Sequence, residues 1–199
     1  RENDLYTASF NELEPLLKEA LAQEADVDTT EREVVAHGIA RAAEMLAGRY
    51  DLVMTNVPYL KRGSQDKVMK AWLKEHYPLG KTDLATAFVE RCLNLCSERN
   101  GEAGSISVVA PQNWLFLVRY KKLRKDLLNR QTWNLLGRLG PNAFETISGE
   151  VVNVSLNVVT HSPPSGNHKL RGVDALDGED HDEKERLLSD GKIVEIPQD

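Results

Sequence analysis

The chain has 199 residues, 41% hydrophobic and 28% charged, with a formal net charge of −6. That is enough chain to bury one good core, with a tail to spare. No apolar stretch approaches a membrane span and no signal-peptide pattern opens the chain, so a cytoplasmic protein outside the membrane is expected. A net-acidic chain is also a poor general binder of nucleic acid, so any such surface has to be local.

Residues 10–24 read as an amphipathic helix, with Phe10, Leu13, Leu16, Leu17 and Leu21 at helical spacing. After a polar break, Thr30 and Glu33 form a capping box, and a second helix runs to Ala47 before Gly48 stops it. His37 on that helix is read as an ordinary surface or satisfied histidine. Residues 50–56 are a short apolar run stopped by Pro58, which reads as a buried strand of a parallel sheet. A polar loop at 60–64 carries Lys61, Arg62 and Gly63 and is either a plain connection or a ligand-facing segment. Helices are expected at 66–76 and 82–98. The second carries Cys92 and Cys96 on its apolar stripe, where a pair without further Cys or His partners fills a core in a reducing compartment. No metal site is expected.

Residues 105–110 form a second buried strand, stopped by Pro111, and the strand, crossover, strand order requires parallel pairing. A helix from 112 to about 130 follows, then a strand at 132–139. Between 119 and 138 seven Arg and Lys side chains oppose only Asp126; they are either a solvated helix face or a phosphate-facing surface. Residues 151–160 alternate Val152, Val154, Leu156 and Val158 with Asn153, Ser155 and Asn157, a strand with unequal faces. Beyond Thr160, Pro, Gly and Ser mark a linker, residues 170–182 read as acidic and loosely ordered, and a short helix (183–189) and strand (191–197) end the chain.

The chemistry concentrates at Asn56-Val57-Pro58-Tyr59. Polar groups at the carboxyl end of a parallel strand sit where open α/β sheets bind ligands. An amide, a pre-proline carbonyl and an aromatic ring suit a planar amine better than a phosphate or a metal. These residues resemble the Asn-Pro-Pro-Tyr motif of N6-adenine DNA methyltransferases. The stretch Ile106 to Leu115, with its strand, Pro111 and Trp114-Leu115, is similar to a second pattern of that family, in which Trp114 is assigned to packing. In overall pattern the chain resembles the type IIG restriction–modification and BREX phage-defence methyltransferases.

The resemblance implies that the amino group of a flipped-out adenine donates to the Asn56 side chain and the Val57 carbonyl, and that Tyr59 stacks on the base. It further implies that Phe144, in the loop 140–150, contacts the base, although a hydrophobic plug would fit that residue as well. Lys61 and Arg62 would then meet the base or the DNA. Val57 departs from the family's first proline. The acceptor carbonyl survives, and Pro58 still favours extended backbone at 57, but the ring that fixed residue 57 itself is lost.

The implied fold is α/β: a partial Rossmann-like, S-adenosylmethionine-dependent methyltransferase fold, mostly parallel with a final antiparallel strand. No glycine-rich turn or ribose-binding acid precedes Asn56. Residues 1–160 are therefore expected to be the catalytic half of the domain, with the cofactor site upstream of this chain and no turnover by the chain alone. Residues 161–199 are expected to be a linker and the start of a following region. The implied partner is double-stranded DNA. The same pocket logic also admits a glutamine side chain or an RNA base as methyl acceptor, and a non-catalytic α/β scaffold with a decayed site is the reading from a different class.

Overall fold

In the computed structural model the described residues are 38–99, 102–141, 143 and 152–198. The chain divides into two compact units, Arg1–Arg49 and Tyr50–Asp199. Of the first, residues 38–47 are helical, and the Gly48 N–H closes the helix on the Glu44 carbonyl at 3.1 Å. The helix read at 10–24 lies outside the described residues, as does the start of the second.

The second unit is built on a six-stranded sheet in the order β1-β4-β6-β5-β7-β8. Its strands are β1 (Leu52–Asn56), β4 (Ser105–Pro111), β5 (Thr132–Gly140), β6 (Val154–Thr160), β7 (Lys169–Asp174) and β8 (Val194–Pro197). A small hairpin of β2 (Glu98–Arg99) and β3 (Glu102–Ala103) stands apart. The pairs β1–β4 and β5–β7 are parallel, while β4–β6, β5–β6 and β7–β8 are antiparallel. Four strands therefore run one way and two the other. The expected antiparallel strand is present, but it is inserted between β4 and β5.

That insertion explains its composition. Ser155 and Asn157 lie opposite Ala110 and Val108 and are fully buried on the face covered by helices. Their donors are matched inside: Ser155 Oγ donates to the Ala110 carbonyl (3.3 Å), and Asn157 Nδ2 donates to the Val108 carbonyl (3.3 Å) and Ser155 Oγ (3.1 Å), while Asn157 Oδ1 has no partner among the described residues. A buried polar face is tolerated when its groups bond one another. The opposite face, with Leu156 and Val158, is half-buried.

On that face lie α2 (Leu84–Asn94) and α3 (Lys121–Arg130), which add Val89, Cys92, Leu93, Leu123 and Leu127 to a core with Ile106, Val108 and Trp114. Asp83 caps α2, its carboxylate accepting from the Ala85 N–H at 3.0 Å. The helix α1 (Lys67–His76) is capped in the same way by Asp66. The helix read at 112–130 is broken: short 3₁₀ turns span Gln112–Leu115 and Val118–Tyr120, and α3 begins only at Lys121. Arg124 causes or stabilises the break by donating to the carbonyls of Trp114 (2.6 Å) and Leu117 (2.8 Å), which a continuous helix would have used internally. The strand read as buried at 50–56 is an edge strand among the described residues, with Leu52 and Met54 exposed.

Residues 161–199 are expected to be a linker and the start of a following region; past the Pro- and Gly-containing stretch, β7 and β8 extend the same sheet. Within the stretch expected to be loosely ordered, Asp174 pairs with Arg138 at 3.0 Å; Lys169 and Arg171 on β7 both reach Glu195 on β8. The helix α4 (His181–Asp190) follows Asp180, which accepts from the Glu183 N–H. Its Lys184 is 2% exposed, and Nζ donates to the carbonyls of Leu139 (2.8 Å) and Ala175 (3.2 Å). The tail is thereby fastened to the end of β5. Replacing Lys184 by Met leaves both carbonyls buried without this donor. Urea unfolding should show a loss of about 1–3 kcal/mol, whereas a tail that is only a linker would show none.

Glu90 on α2 has a buried carboxyl oxygen without a hydrogen-bond partner among the described residues. Burial pushes its carboxyl up to about 7; the Gly80 N–H opposes the rise and the charge of Asp126 adds to it. The folded value lies above the unfolded one of 4.5. No stability is lost below that unfolded value, the loss grows as pH rises toward 7, and it is complete above. Glu90→Gln should therefore raise the thermal midpoint at pH 8 and leave it nearly unchanged at pH 4. A midpoint difference independent of pH would contradict this assignment.

Candidate active site

The motif lies where β1 leaves the sheet. Pro58 has no N–H to continue the ladder, but the Val57 N–H still bonds the Val109 carbonyl at 3.2 Å, so the chain follows β4 for one residue beyond the strand. The Val57 side chain is 3% exposed and packs in the core with Ala85 and Val108. This contact replaces some of the restraint that a proline ring would give. Among the described residues no N–H donates to the Val57 carbonyl.

Asn56 is exposed. The Tyr59 hydroxyl donates to Asn56 Oδ1 at 3.1 Å, which fixes which end of the amide faces the ring. An amide oxygen has two lone pairs, so one remains for an incoming donor. The Tyr59 ring is half-buried and touches both core clusters of the sheet, and burial pushes its phenol above the ordinary range. The ring is held in place and keeps its proton. Together, Asn56 and Val57 can accept two hydrogen bonds from one planar amine, beside a ring on which a flat molecule can stack.

The loop after the motif is stitched down. Asp83 Oδ1, which caps α2, also accepts from the Leu60 N–H at 3.3 Å. The Leu60 carbonyl accepts from Leu84 N–H (3.0 Å) and from the buried Gln65 side chain (3.1 Å), and the Arg62 N–H reaches the Thr82 carbonyl at 3.1 Å. These bonds tie the loop to the start of α2. Lys61 and Arg62 are both exposed, and Pro58 is exposed as well.

A cavity of about 260 Å³ opens beside the motif, bounded by Tyr59, Lys61, Asp83, Asn113, Val152 and Asn153 among others. Of the sequence-identified residues it joins Tyr59 and Lys61; Asn56, Val57, Pro58 and Arg62 do not line it. Phe144 lies outside the described residues. Asn113 and Asn153 were not singled out from the sequence. The available signals were that Asn113 follows a strand-ending proline, as a site residue would, and that Asn153 precedes an antiparallel strand. The start of such a strand lies at the same end of the sheet as the finish of its parallel neighbours.

The basic run is divided in its duties. Arg124 is committed to backbone carbonyls, Arg130 faces Asp126, and Arg138 joins Asp174 while lying over the Phe116 ring. Lys121, Lys122 and Lys125 remain exposed on α3.

The ribose of S-adenosylmethionine calls for an acceptor such as a carboxylate. Among the described residues lining the cavity the one carboxylate is Asp83; its Oδ1 is spent on Leu60 and Ala85, and Oδ2 is the acceptor left. Among the described residues there is no cluster of His, Cys, Asp or Glu able to hold a metal ion, and no helix long and apolar enough to cross a membrane.

The family and the fold are shown by comparison with known proteins. Residues 2–143 match the model of the Eco57I restriction-modification methylase family. The chain is 32% identical over 169 residues to the adenine-specific methyltransferase BrxX of Escherichia coli O9:H4 (strain HS), a match covering 85% of this chain and 14% of that protein. It thus spans about one seventh of that relative's length. Among solved structures, the DrdV–DNA complex superposes with a TM-score of 0.59 at 15% identity, covering 81% of this chain and 18% of that one. A Listeria monocytogenes protein described as a class I S-adenosylmethionine-dependent methyltransferase superposes at 0.51 and 12% identity, covering 79% of this chain and 50% of that one. The fold is that of part of a class I methyltransferase, and the chain belongs to the Eco57I restriction-modification methylase family.

Proposed function

We propose that the protein containing this chain methylates the N6 amine of an adenine flipped out of double-stranded DNA, in restriction–modification or phage defence, with S-adenosylmethionine as methyl donor. The observation that carries the reading is the pair of acceptors at the end of β1: the exposed Asn56 side chain, oriented by the Tyr59 hydroxyl, and the Val57 carbonyl, which no described N–H occupies. The adenine specificity of BrxX and the DNA bound to DrdV lend it support.

The lone pair of the adenine amine is delocalised into the ring, which makes the amine a poor nucleophile. Two acceptors aimed at its protons favour a pyramidal nitrogen with a localised lone pair. This is stabilisation by preorganised dipoles and needs no strong base. Stacking on Tyr59 contributes about 1–3 kcal/mol toward the cost of extruding the base. Lys61 and Arg62, exposed beside the pocket, would meet the base or the backbone phosphates, and Phe144 would cover the second face of the base. The methyl donor would be held by residues upstream of those described, in keeping with residues 1–160 as the catalytic half of a larger domain. A cytoplasmic location follows from the DNA substrate. The exposure of Asn56 counts against a decayed scaffold, in which that amide would be buried in unrelated hydrogen bonds.

The test uses labelled S-adenosylmethionine, adenine-containing duplex DNA and the whole protein in which this chain occurs. Label should pass to adenine N6. The 199-residue chain alone should transfer none. Asn56→Ala should lower turnover by about 10²–10³-fold, the scale for removing one preorganised polar group, with cofactor affinity kept. Unchanged turnover in Asn56→Ala would remove the proposed role from this amide.

A further inference from the structure

The acceptors at Asn56 and Val57 account for one edge of the base only. Once its amine protons are taken, adenine in DNA presents the ring nitrogens N1, N3 and N7, all of them acceptors. A pocket that reads the rest of the base therefore needs donors, and neither a carbonyl nor the Asp83 carboxylate can supply them.

Two amides meet this need. Asn113 and Asn153 both line the cavity against Tyr59, although forty residues separate them in sequence. The Gln112 N–H donates to the Asn153 carbonyl at 2.8 Å, tying the turn after β4 to the approach to β6. The Asn113 carbonyl accepts from the N–H groups of Phe116 (3.2 Å) and Leu117 (3.0 Å), and the neighbouring Trp114 is 2% exposed with its carbonyl held by Arg124. The backbone at both positions is thus restrained by hydrogen bonds. The side chains are not: neither amide has a hydrogen-bond partner among the described residues. Two positioned but unspent amides face a cavity of about 260 Å³ next to a stacking ring. This is close to the lower end of ordinary ligand pockets, about 300 Å³, and suits one base rather than an extended ligand.

We propose that Asn113 and Asn153 are specificity-determining residues whose Nδ2 groups donate to ring nitrogens of the flipped base. The assignment rests on the adenine reading of the Asn56–Tyr59 site and extends it to the opposite edge. It accounts for selection of a purine where these donors meet N7 or the purine N3, because a cytosine whose amine sits at Asn56 offers only its own N3 as a ring acceptor. It also accounts for rejection of purines that present an N–H at the edge where these amides donate.

The test pairs each side chain with each ring nitrogen. The whole protein, and its Asn113→Ala and Asn153→Ala variants, would be assayed for methyl transfer to duplexes whose target is adenine, 1-deazaadenine, 3-deazaadenine or 7-deazaadenine. Each analogue replaces one acceptor nitrogen by C–H. The unaltered protein should lose about tenfold in kcat/KM on at least one analogue, the scale of one hydrogen bond. The matching variant should be slower on adenine by a similar factor, with no further loss on that analogue. Asn113→Asp and Asn153→Asp, which keep the shape and remove the donor, should repeat the pattern, and circular dichroism would check that all variants are folded. Deaza penalties that are the same in the unaltered protein and every variant would overturn the assignment while leaving the amine site standing. Failure of the unaltered protein to methylate ordinary adenine would overturn both.

Discussion

One carboxylate holds the working end of the sheet together. Asp83 accepts from the Ala85 N–H as the cap of α2 and from the Leu60 N–H just past the motif. The first bond decides where the helix starts, and the second decides where the chain goes after Tyr59. The Tyr59 ring and the Lys61 side chain consequently take their places from a helix N-terminus twenty residues further along. The half-buried ring then aims the Asn56 amide through its hydroxyl. The chain of dependence runs from a helix cap to a loop, from the loop to a ring, and from the ring to an acceptor.

A second constraint comes from strand direction. In a wholly parallel sheet, the side chains gathered at one edge all come from strand ends. The antiparallel β6 between β4 and β5 adds residues from a strand start, which is how Asn153 comes to face the same cavity as Tyr59 and Asn113. Burying one face of β6 in the core calls for partners for its polar residues, and the donors of Ser155 and Asn157 find them in the carbonyls of β4. The site gains its third wall from the same insertion that places polar groups in the core.

The legible parts of the sequence were those set by local chemistry. Prolines at 58 and 111 stop β1 and β4, Gly48 stops the helix before them, and the apolar stripe of α2 marks its buried face. What could not be read depends on partners far along the chain. Arg124 looks like one more charge in a basic run, and only its bonds to the Trp114 and Leu117 carbonyls reveal why the helix is broken before Lys121. The stretch 170–182 reads as acidic and loosely ordered, and only the pairing of Asp174 with Arg138 and of Arg171 with Glu195 shows that its first residues are a strand. Of the site, Asn56 and Tyr59 could be found because they share one short motif. Asn113 and Asn153 could not, because their convergence is a property of the sheet order.

The attachment of Lys184 to the Leu139 and Ala175 carbonyls bears on how such proteins could be recombined. By composition, the natural seam for exchanging the downstream part of the chain is the Pro- and Gly-containing stretch after Thr160. A crossover there would graft foreign strands onto β5 and strand the carbonyl at its end, in the segment that leads into the 140–150 loop. A seam beyond Gln198 would carry β7, α4 and β8 along with the sheet they complete. Chimeras joined at the second position should inherit an intact pocket, while those joined at the first would exchange part of its foundation along with the downstream region.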